Sequence, residues 1–282
     1  MHNLGPNGGN MMSTTLAPRP QNEDRRVVAV KRTGIIDGEQ TDNFSVFCDI
    51  AKELTGFDYV SFSLFDENFQ CNIANTDGVE EEKGARHEFN ICSYVLLSSE
   101  PTLIPDLSEH EKWKTHPSLQ EEDSWLGYAG FPVINKDNYA LGTLCLFNTE
   151  PKKLSADQEN LLIRISKNIA HLLDLQVEQR SLTAQKIVQA SDILSEEMPG
   201  ATLLDLKALL LLESDLKVSA RDANGLVKHG FCTEDVKSNA ILSSSGRLLI
   251  EKMGITPKPM KRLKISGEDA SELIDKMFSE LQ

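Results

Sequence analysis

The chain has 282 residues, 40% of them hydrophobic, which is enough for about two domains with packed cores. Its formal net charge of −14 argues against a nucleic-acid or anionic-membrane footprint over the whole chain, because both need clustered positive charge. No segment reaches the ~20 apolar residues of a membrane helix; the longest apolar run, Ala208 to Leu212, is bounded by Lys207 and Glu213 and reads as a buried helix.

The N-terminus lacks the basic-then-apolar pattern of a secretory signal. Five cysteines (Cys48, Cys71, Cys92, Cys145 and Cys232) form no C-x-x-C pair and are odd in number. That usage suits buried free thiols in a reducing compartment, and a cytoplasmic location is the expectation.

Residues 1–24 are rich in Gly, Asn, Pro, Ser and Thr and read as a disordered tail. From Asp42 the pattern is helical: Phe44, Phe47, Cys48, Ala51 and Leu54 follow the i, i+3, i+4, i+7 rule, and Gly56 stops the helix. Val60, Phe62 and Leu64 alternate with Ser61, Ser63 and Phe65, a strand with two different faces. A second strand runs from Phe69 to Ala74, followed by an acidic loop at Glu80–Glu82, a short helix from Ile91 to Leu97 and a brief strand at Leu103-Ile104. Strands at Ala129–Ile134 and Ala140–Phe147 pair around Asn135-Lys136-Asp137-Asn138. Ser155-Ala156-Asp157-Gln158 has capping-box spacing and opens a long helix carrying Leu161, Leu162, Ile165, Ile169, Leu172, Leu173 and Leu175 and continuing to Leu194. Gln176, Gln179 and Lys186 interrupt every heptad register, so a continuous coiled coil is not expected. Pro199-Gly200 ends the helix. Helical segments near 202–214, 219–229, 233–253 and 267–281 follow, the last with Ala270, Leu273, Ile274, Met277, Phe278 and Leu281 on one face.

Six blocks follow one another along the chain: Arg32 to Asp37, Ser61 to Glu67, Arg86 to Ser93, Leu103 to Asp106, Tyr128 to Val133 and Leu141 to Phe147. Over about residues 25–178 they resemble the GAF domain family, sensor modules of bacterial signalling. The resemblance implies an α+β fold, an antiparallel sheet with helices on one face and a loop-covered ligand cavity on the other. The expected organisation is a tail (1–24), a GAF-like sensor domain (25–178), a connecting helix (179–198) and a small all-helical C-terminal domain (199–282) that resembles no recognised family.

Candidate pocket residues follow from the same resemblance: Ser61, Ser63, Cys71, Arg86, Cys92, Asp106, Trp125, Tyr128 and Cys145. Arg86 and Asp106 stand where a basic and an acidic residue recur in this subgroup, either to frame a polar ligand or to form a salt bridge fixing the loops. Cys92 sits near the start of the pocket helix, where a reactive thiol or a small buried apolar residue are the alternatives. Trp125 and Tyr128 flank Gly127, placed to stack on a planar ligand or to cover the core edge.

Specialised functions of the family find weaker matches. Free methionine sulfoxide reductases use a second cysteine between the pocket helix and the next long strand, and none lies between Cys92 and Cys145. A chromophore-binding Cys-His pair is replaced by Cys92-Ser93, and of the cyclic-nucleotide pattern after the last strand only Asn148 and Glu159 remain. His110 and His116 flank Trp113 in a loop, a spacing that predicts no metal site. The basic cluster Pro257 to Lys264 carries two prolines and reads as a solvated linker.

The expected function is a non-enzymatic signal-transduction sensor. Its first domain binds a small molecule or partner and relays the change through the long helix to a C-terminal domain with a protein partner of its own. A homodimer through the long helix is expected, with no catalytic residue, no metal, no membrane and no nucleic acid; the residues name no cofactor. The alternatives are a thiol redox switch or methionine sulfoxide reductase-like enzyme using Cys92, and a transcription regulator acting through the C-terminal domain.

Overall fold

The computed structural model describes residues 15–36, 44–78, 83–120 and 124–254. The chain divides into two compact units, the first ending at Arg180 and the second beginning at Ser181. The predicted acidic loop at 80–82, the basic cluster and the helix at 267–281 lie outside the described residues.

In the first unit, α1 (Glu23–Thr33) opens with Glu23 and Asp24 and closes with Lys31 and Arg32, charges that complement the helix dipole at both ends. Helix α2 (Ser45–Thr55) ends at Gly56, whose φ of 66° is the left-handed cap the sequence anticipates. Strands β1 (Tyr59–Phe65), β2 (Phe69–Asn75), β3 (Lys83–Ala85), β4 (Thr102–Ile104), β5 (Gly127–Ile134) and β6 (Ala140–Asn148) form one sheet in the order β3-β2-β1-β6-β5-β4. Every neighbouring pair is antiparallel. A short helix α3 (Ile91–Val95) lies between β3 and β4 in sequence, capped by the Asn90 side chain, which accepts from the Ser93 N–H.

The two-faced pattern of β1 resolves as follows. Val60, Phe62 and Leu64 join Ala129, Phe131, Val133, Leu144 and Leu146 against α1, α2 and the following long helix, through Val30, Cys48, Ala51, Leu162, Ile165, Ile169 and Leu173. Phe65 lies on the opposite face with Tyr128, Cys145 and Phe147, covered by Ile91, Cys92, Val95, Ile104, Leu107, Trp113 and Trp125. Helices therefore cover one face, and α3 with its loops covers the other. Each buried large side chain in these two layers contributes ~1.5–3 kcal/mol of hydrophobic stabilisation.

Helix α4 (Ala156–Glu197) runs 42 residues. Its start has the reciprocal bonds of a capping box: the Ser155 N–H donates to Gln158 Oε1 at 3.0 Å, and the Gln158 N–H donates to Ser155 Oγ at 3.2 Å.

Two sequence expectations need correction. Composition predicts a disordered tail over residues 1–24, yet Leu16 bridges His87, the Ala17 N–H donates to the Arg86 carbonyl and α1 already begins at Glu23. Composition misses this because the segment is anchored by backbone bonds to the distant β3–α3 loop, not by its own apolar content. The C-terminal region, expected to be all helical, contains a hairpin. Helices α5 (Leu203–Glu213) and α6 (Asn224–Lys228) are followed by β7 (Cys232–Glu234) and β8 (Ala240–Leu242), and then α7 (Ser244–Met253). The turn is held by Asp235, whose Oδ1 accepts from the Lys237 and Asn239 N–H groups, with Ser238 at φ 57°. Three-residue strands are too short to show a two-residue period. The second unit's core gathers Ala190, Leu194, Met198, Leu209, Leu226, Leu242 and Leu249.

Candidate functional site

The face of the sheet under α3 carries an uncharged polar row set by register. Ser61 pairs with Cys145 and Ser63 with Thr143 across β1–β6, while Ser63 also pairs with Asn72 and Phe65 with Gln70 across β1–β2. Ser61, Ser63, Thr143 and Cys145 are buried. Gln70 Nε2 donates to Ser63 Oγ at 3.0 Å, Asn90 Nδ2 donates to Gln70 Oε1 at 2.7 Å, and Asn72 Nδ2 donates to Tyr59 Oη at 3.3 Å. Two oxygens in this layer have no hydrogen-bond partner: Asn72 Oδ1 and Ser93 Oγ, both buried. An unmatched buried acceptor or hydroxyl costs roughly 1–3 kcal/mol.

At the centre lie Cys92, Cys145 and Tyr128. Tyr128 Oη and Cys145 Sγ are 3.2 Å apart, and Cys145 Sγ lies 3.2 Å from Thr143 Oγ1. A hydrogen bond to Cys145 and complete burial push the Cys92 thiol well above its ordinary value. Burial opposes ionisation of Cys145 too, but hydrogen bonds from Cys92, Thr143 and Tyr128 outweigh it and hold that thiol lower. Burial raises the Tyr128 hydroxyl far out of the titrating range. None of the five cysteines is in a disulfide and all are buried; burial raises Cys48 to about 12 and Cys232 to about 11. A thiol reagent near neutral pH is therefore expected to modify the native protein only at the rate of local opening. Rapid stoichiometric labelling of Cys92 or Cys145 would contradict this.

Trp125 and Tyr128, 5% and 1% exposed, close the core edge: Trp125 stacks on Tyr59 at 6.0 Å and Tyr128 meets Phe147 edge-on at 5.2 Å. The loop histidine His116 is taken up locally, 2.6 Å from Ser118 Oγ and 2.8 Å from the Phe89 carbonyl. Among the described residues no three His, Cys, Asp or Glu side chains converge to hold a metal ion.

Three candidate residues stand elsewhere than expected. Cys71 pairs with Leu64 and belongs to the helix-side core, not to the polar row. The reason is a bulge: the register shifts between Phe62 and Ser63, so the strict alternation of β2 breaks at Ile73. Arg86 and Asp106 do not form the expected salt bridge. Asp106 Oδ1 accepts from the N–H and hydroxyl of Ser108, closing a local turn.

Arg86 instead joins a buried cluster that sequence spacing did not reveal. Its Nη1 donates to Glu23 Oε1 at 2.5 Å and to the Asp66 carbonyl at 2.6 Å. Arg26, also fully buried, donates through Nε and Nη2 to the two Glu23 oxygens and through Nη1 to the Phe65 carbonyl. Burial lowers Arg86 to about 10, against the opposing effect of its hydrogen bond to Glu23, so it remains a cation at neutral pH. Burial works against ionisation of Glu23, but hydrogen bonds from Arg26 and Arg86 prevail and hold its carboxyl below the ordinary range. A lowered carboxyl contributes stability that is complete above its unfolded value and is lost as pH falls through the folded value. Acidification from about pH 6 to about pH 3 is thus expected to lower the urea midpoint more for wild type than for Glu23→Gln; equal losses would contradict the cluster.

On the helix side, a cavity of about 330 Å³ lies among Arg25, Val28, Arg32, Lys136, Tyr139 and Asp174. Basic and acidic groups alternate around it, and Lys136 pairs with Glu178 nearby.

The GAF domain family model matches residues 41–173. A cyclic di-GMP phosphodiesterase of Pseudomonas aeruginosa is 22% identical over 142 residues, which cover 50% of this chain but only 24% of that protein. Among solved structures, the GAF domain of an Acinetobacter phosphoenolpyruvate-protein phosphotransferase is 16% identical, with a TM-score of 0.40, covering 54% of this chain and 93% of that one. The type II free methionine-R-sulfoxide reductase of Thermoplasma acidophilum is 18% identical with a TM-score of 0.37, covering 47% and 90% respectively. The blue-light-absorbing form of the Thermosynechococcus elongatus PixJ GAF domain is 14% identical with a TM-score of 0.43, covering 58% and 95%.

Proposed function

From the premise that residues 41–173 of this chain are a GAF domain, a module typical of signalling sensors, we propose that it is a non-enzymatic sensor whose small-molecule ligand binds beneath α3. The observation that carries the reading is the buried, unpartnered pair Asn72 Oδ1 and Ser93 Oγ in a layer otherwise lined by neutral polar groups. A folded protein retains such a cost where the group serves a ligand. Helix α4 passes from the first unit into the second and is the proposed relay, with the second unit as the partner-binding output. Its exposed Leu175, Leu182 and Val188 make it the proposed homodimer element as well; a concentration-independent monomer in light scattering would reject that part.

The test separates stability from binding. Ser93→Ala removes an unmatched hydroxyl, so protein refolded from denaturant is expected to be as stable as wild type or up to about 1 kcal/mol more stable. The same variant is expected to lose any small molecule that wild type carries through purification. A variant destabilised by more than about 1 kcal/mol would mean the hydroxyl is structural and would remove this support.

A second reading, a thiol switch, draws on the Cys92–Cys145 contact. With hydrogen peroxide as oxidant the two thiols would lose two protons and two electrons to form one disulfide, the peroxide leaving as two waters. A Cys92–Cys145 cross-link in the peptide map after mild peroxide would favour it over the first reading.

A further inference from the structure

Arg86 is wholly buried, yet only one of its three nitrogens is used. Nη1 makes both of its bonds, and Nε and Nη2 have no hydrogen-bond partner although neither reaches solvent. These two nitrogens are not a random pair. In a planar guanidinium the Nε–H and one Nη2–H point the same way, forming the side-on fork that matches the two oxygens of a carboxylate.

The charges around the fork are unbalanced in the same direction. Three cations, Arg26, Arg86 and the half-buried Arg19, face two carboxylates, Glu23 and Asp66. Both carboxylates are occupied: Glu23 accepts from Arg26 and Arg86, and Asp66 Oδ1 accepts from the Asn68 and Phe69 N–H groups. One positive charge is left over in a buried setting, where a lone ion is costly. The guanidinium lies over the Phe65 ring at 5.5 Å, and Phe65 belongs to the layer that also holds Cys92 and Cys145.

We propose that the Nε/Nη2 edge of Arg86 is an oxyanion fork and that the ligand of this domain carries a carboxylate that docks on it. The inference rests on the sensor reading above and narrows its ligand to a small carboxylate-bearing molecule, whose remaining polar groups meet the neutral row of Ser61, Ser63, Asn72 and Thr143. A monoanion cancels the single unmatched charge. A phosphate dianion would overshoot it and would find no second cation among the residues of that row.

Arginine-selective proton–nitrogen NMR of the full chain tests this, with sodium acetate as the probe, acetamide as its neutral isostere, and sodium chloride and inorganic phosphate at matched ionic strength. The Nε–H signal of Arg86 is assigned by its loss in Arg86→Lys and by its proximity to the Phe65 ring, so the wild-type measurements decide alone if the variant does not fold. The expected result is a saturable shift of the Arg86 Nε–H with acetate and none with acetamide or chloride; in Arg86→Lys, which keeps the charge but has no fork, the neighbouring Arg26 Nε–H responds to acetate at least about tenfold more weakly than in wild type. A silent Arg86 signal, an equal shift with chloride (an adventitious ion only) or a stronger response to phosphate would each overturn the proposal. A small molecule found in purified wild-type protein alongside a silent Arg86 would leave the sensor reading intact and remove the carboxylate.

Discussion

Replacing Glu23 with alanine is expected to destabilise the first unit by about 3 kcal/mol, the lower end of the cost of breaking a buried ion pair. Glu23 is the one carboxylate that bonds both Arg26 and Arg86, two side chains with no solvent exposure. Its own side chain is 15% exposed, so water partly replaces the lost partner and keeps the effect from the top of the range. The variant also leaves Arg86 with the Asp66 carbonyl alone and Arg26 with backbone carbonyls alone, from Phe65 and Asp66. Urea unfolding checks this: a loss below about 1 kcal/mol would mean the arginines find other partners or water on losing the carboxylate.

Gly142→Ala is expected to cost at least as much, for a different reason. Gly142 lies mid-sheet, paired with Leu64 on one side and Val133 on the other. A Cβ there would stand 2.1 Å from the Ser63 carbonyl oxygen and 3.1 Å from its carbon, and both are backbone atoms that no rotamer change can move. The central strands β1 and β6 must separate to admit it, which places the effect at or above about 3 kcal/mol, the upper end of ordinary overpacking. Gly200→Ala is the control: nothing lies within 4 Å of its Cβ position, so only its φ of 87° opposes the substitution and about 1 kcal/mol is expected. Similar losses for the two variants would contradict the steric account.

What the sequence reveals depends on how local the cause is. The alternation at Val60, Phe62 and Leu64, the cap at Gly56 and the Ser155–Gln158 capping box each act within a few residues, and each stands where the pattern places it. The Arg86–Glu23 contact spans 63 positions and leaves no spacing to read, so motif order points instead to Asp106, the acidic residue of the neighbouring motif. Motif proximity suggests the pocket face for Cys71, while one bulged residue sets which face it takes. The hairpin at Cys232–Leu242 depends on an Asp235 turn between strands of three residues, below the length at which a two-residue period stands out from a helical one. Unpartnered groups such as Ser93 Oγ are the least legible of all, because they are defined by what does not reach them in the fold.

The measurement that bears most directly on the sensor reading is native mass spectrometry of the full chain purified without denaturant, wild type beside Ser93→Ala. The predicted result is a small-molecule adduct on wild type that is released on unfolding and is missing from a Ser93→Ala protein of undiminished stability. Wild type at its bare sequence mass, unchanged after exposure to cell extract metabolites, would contradict it.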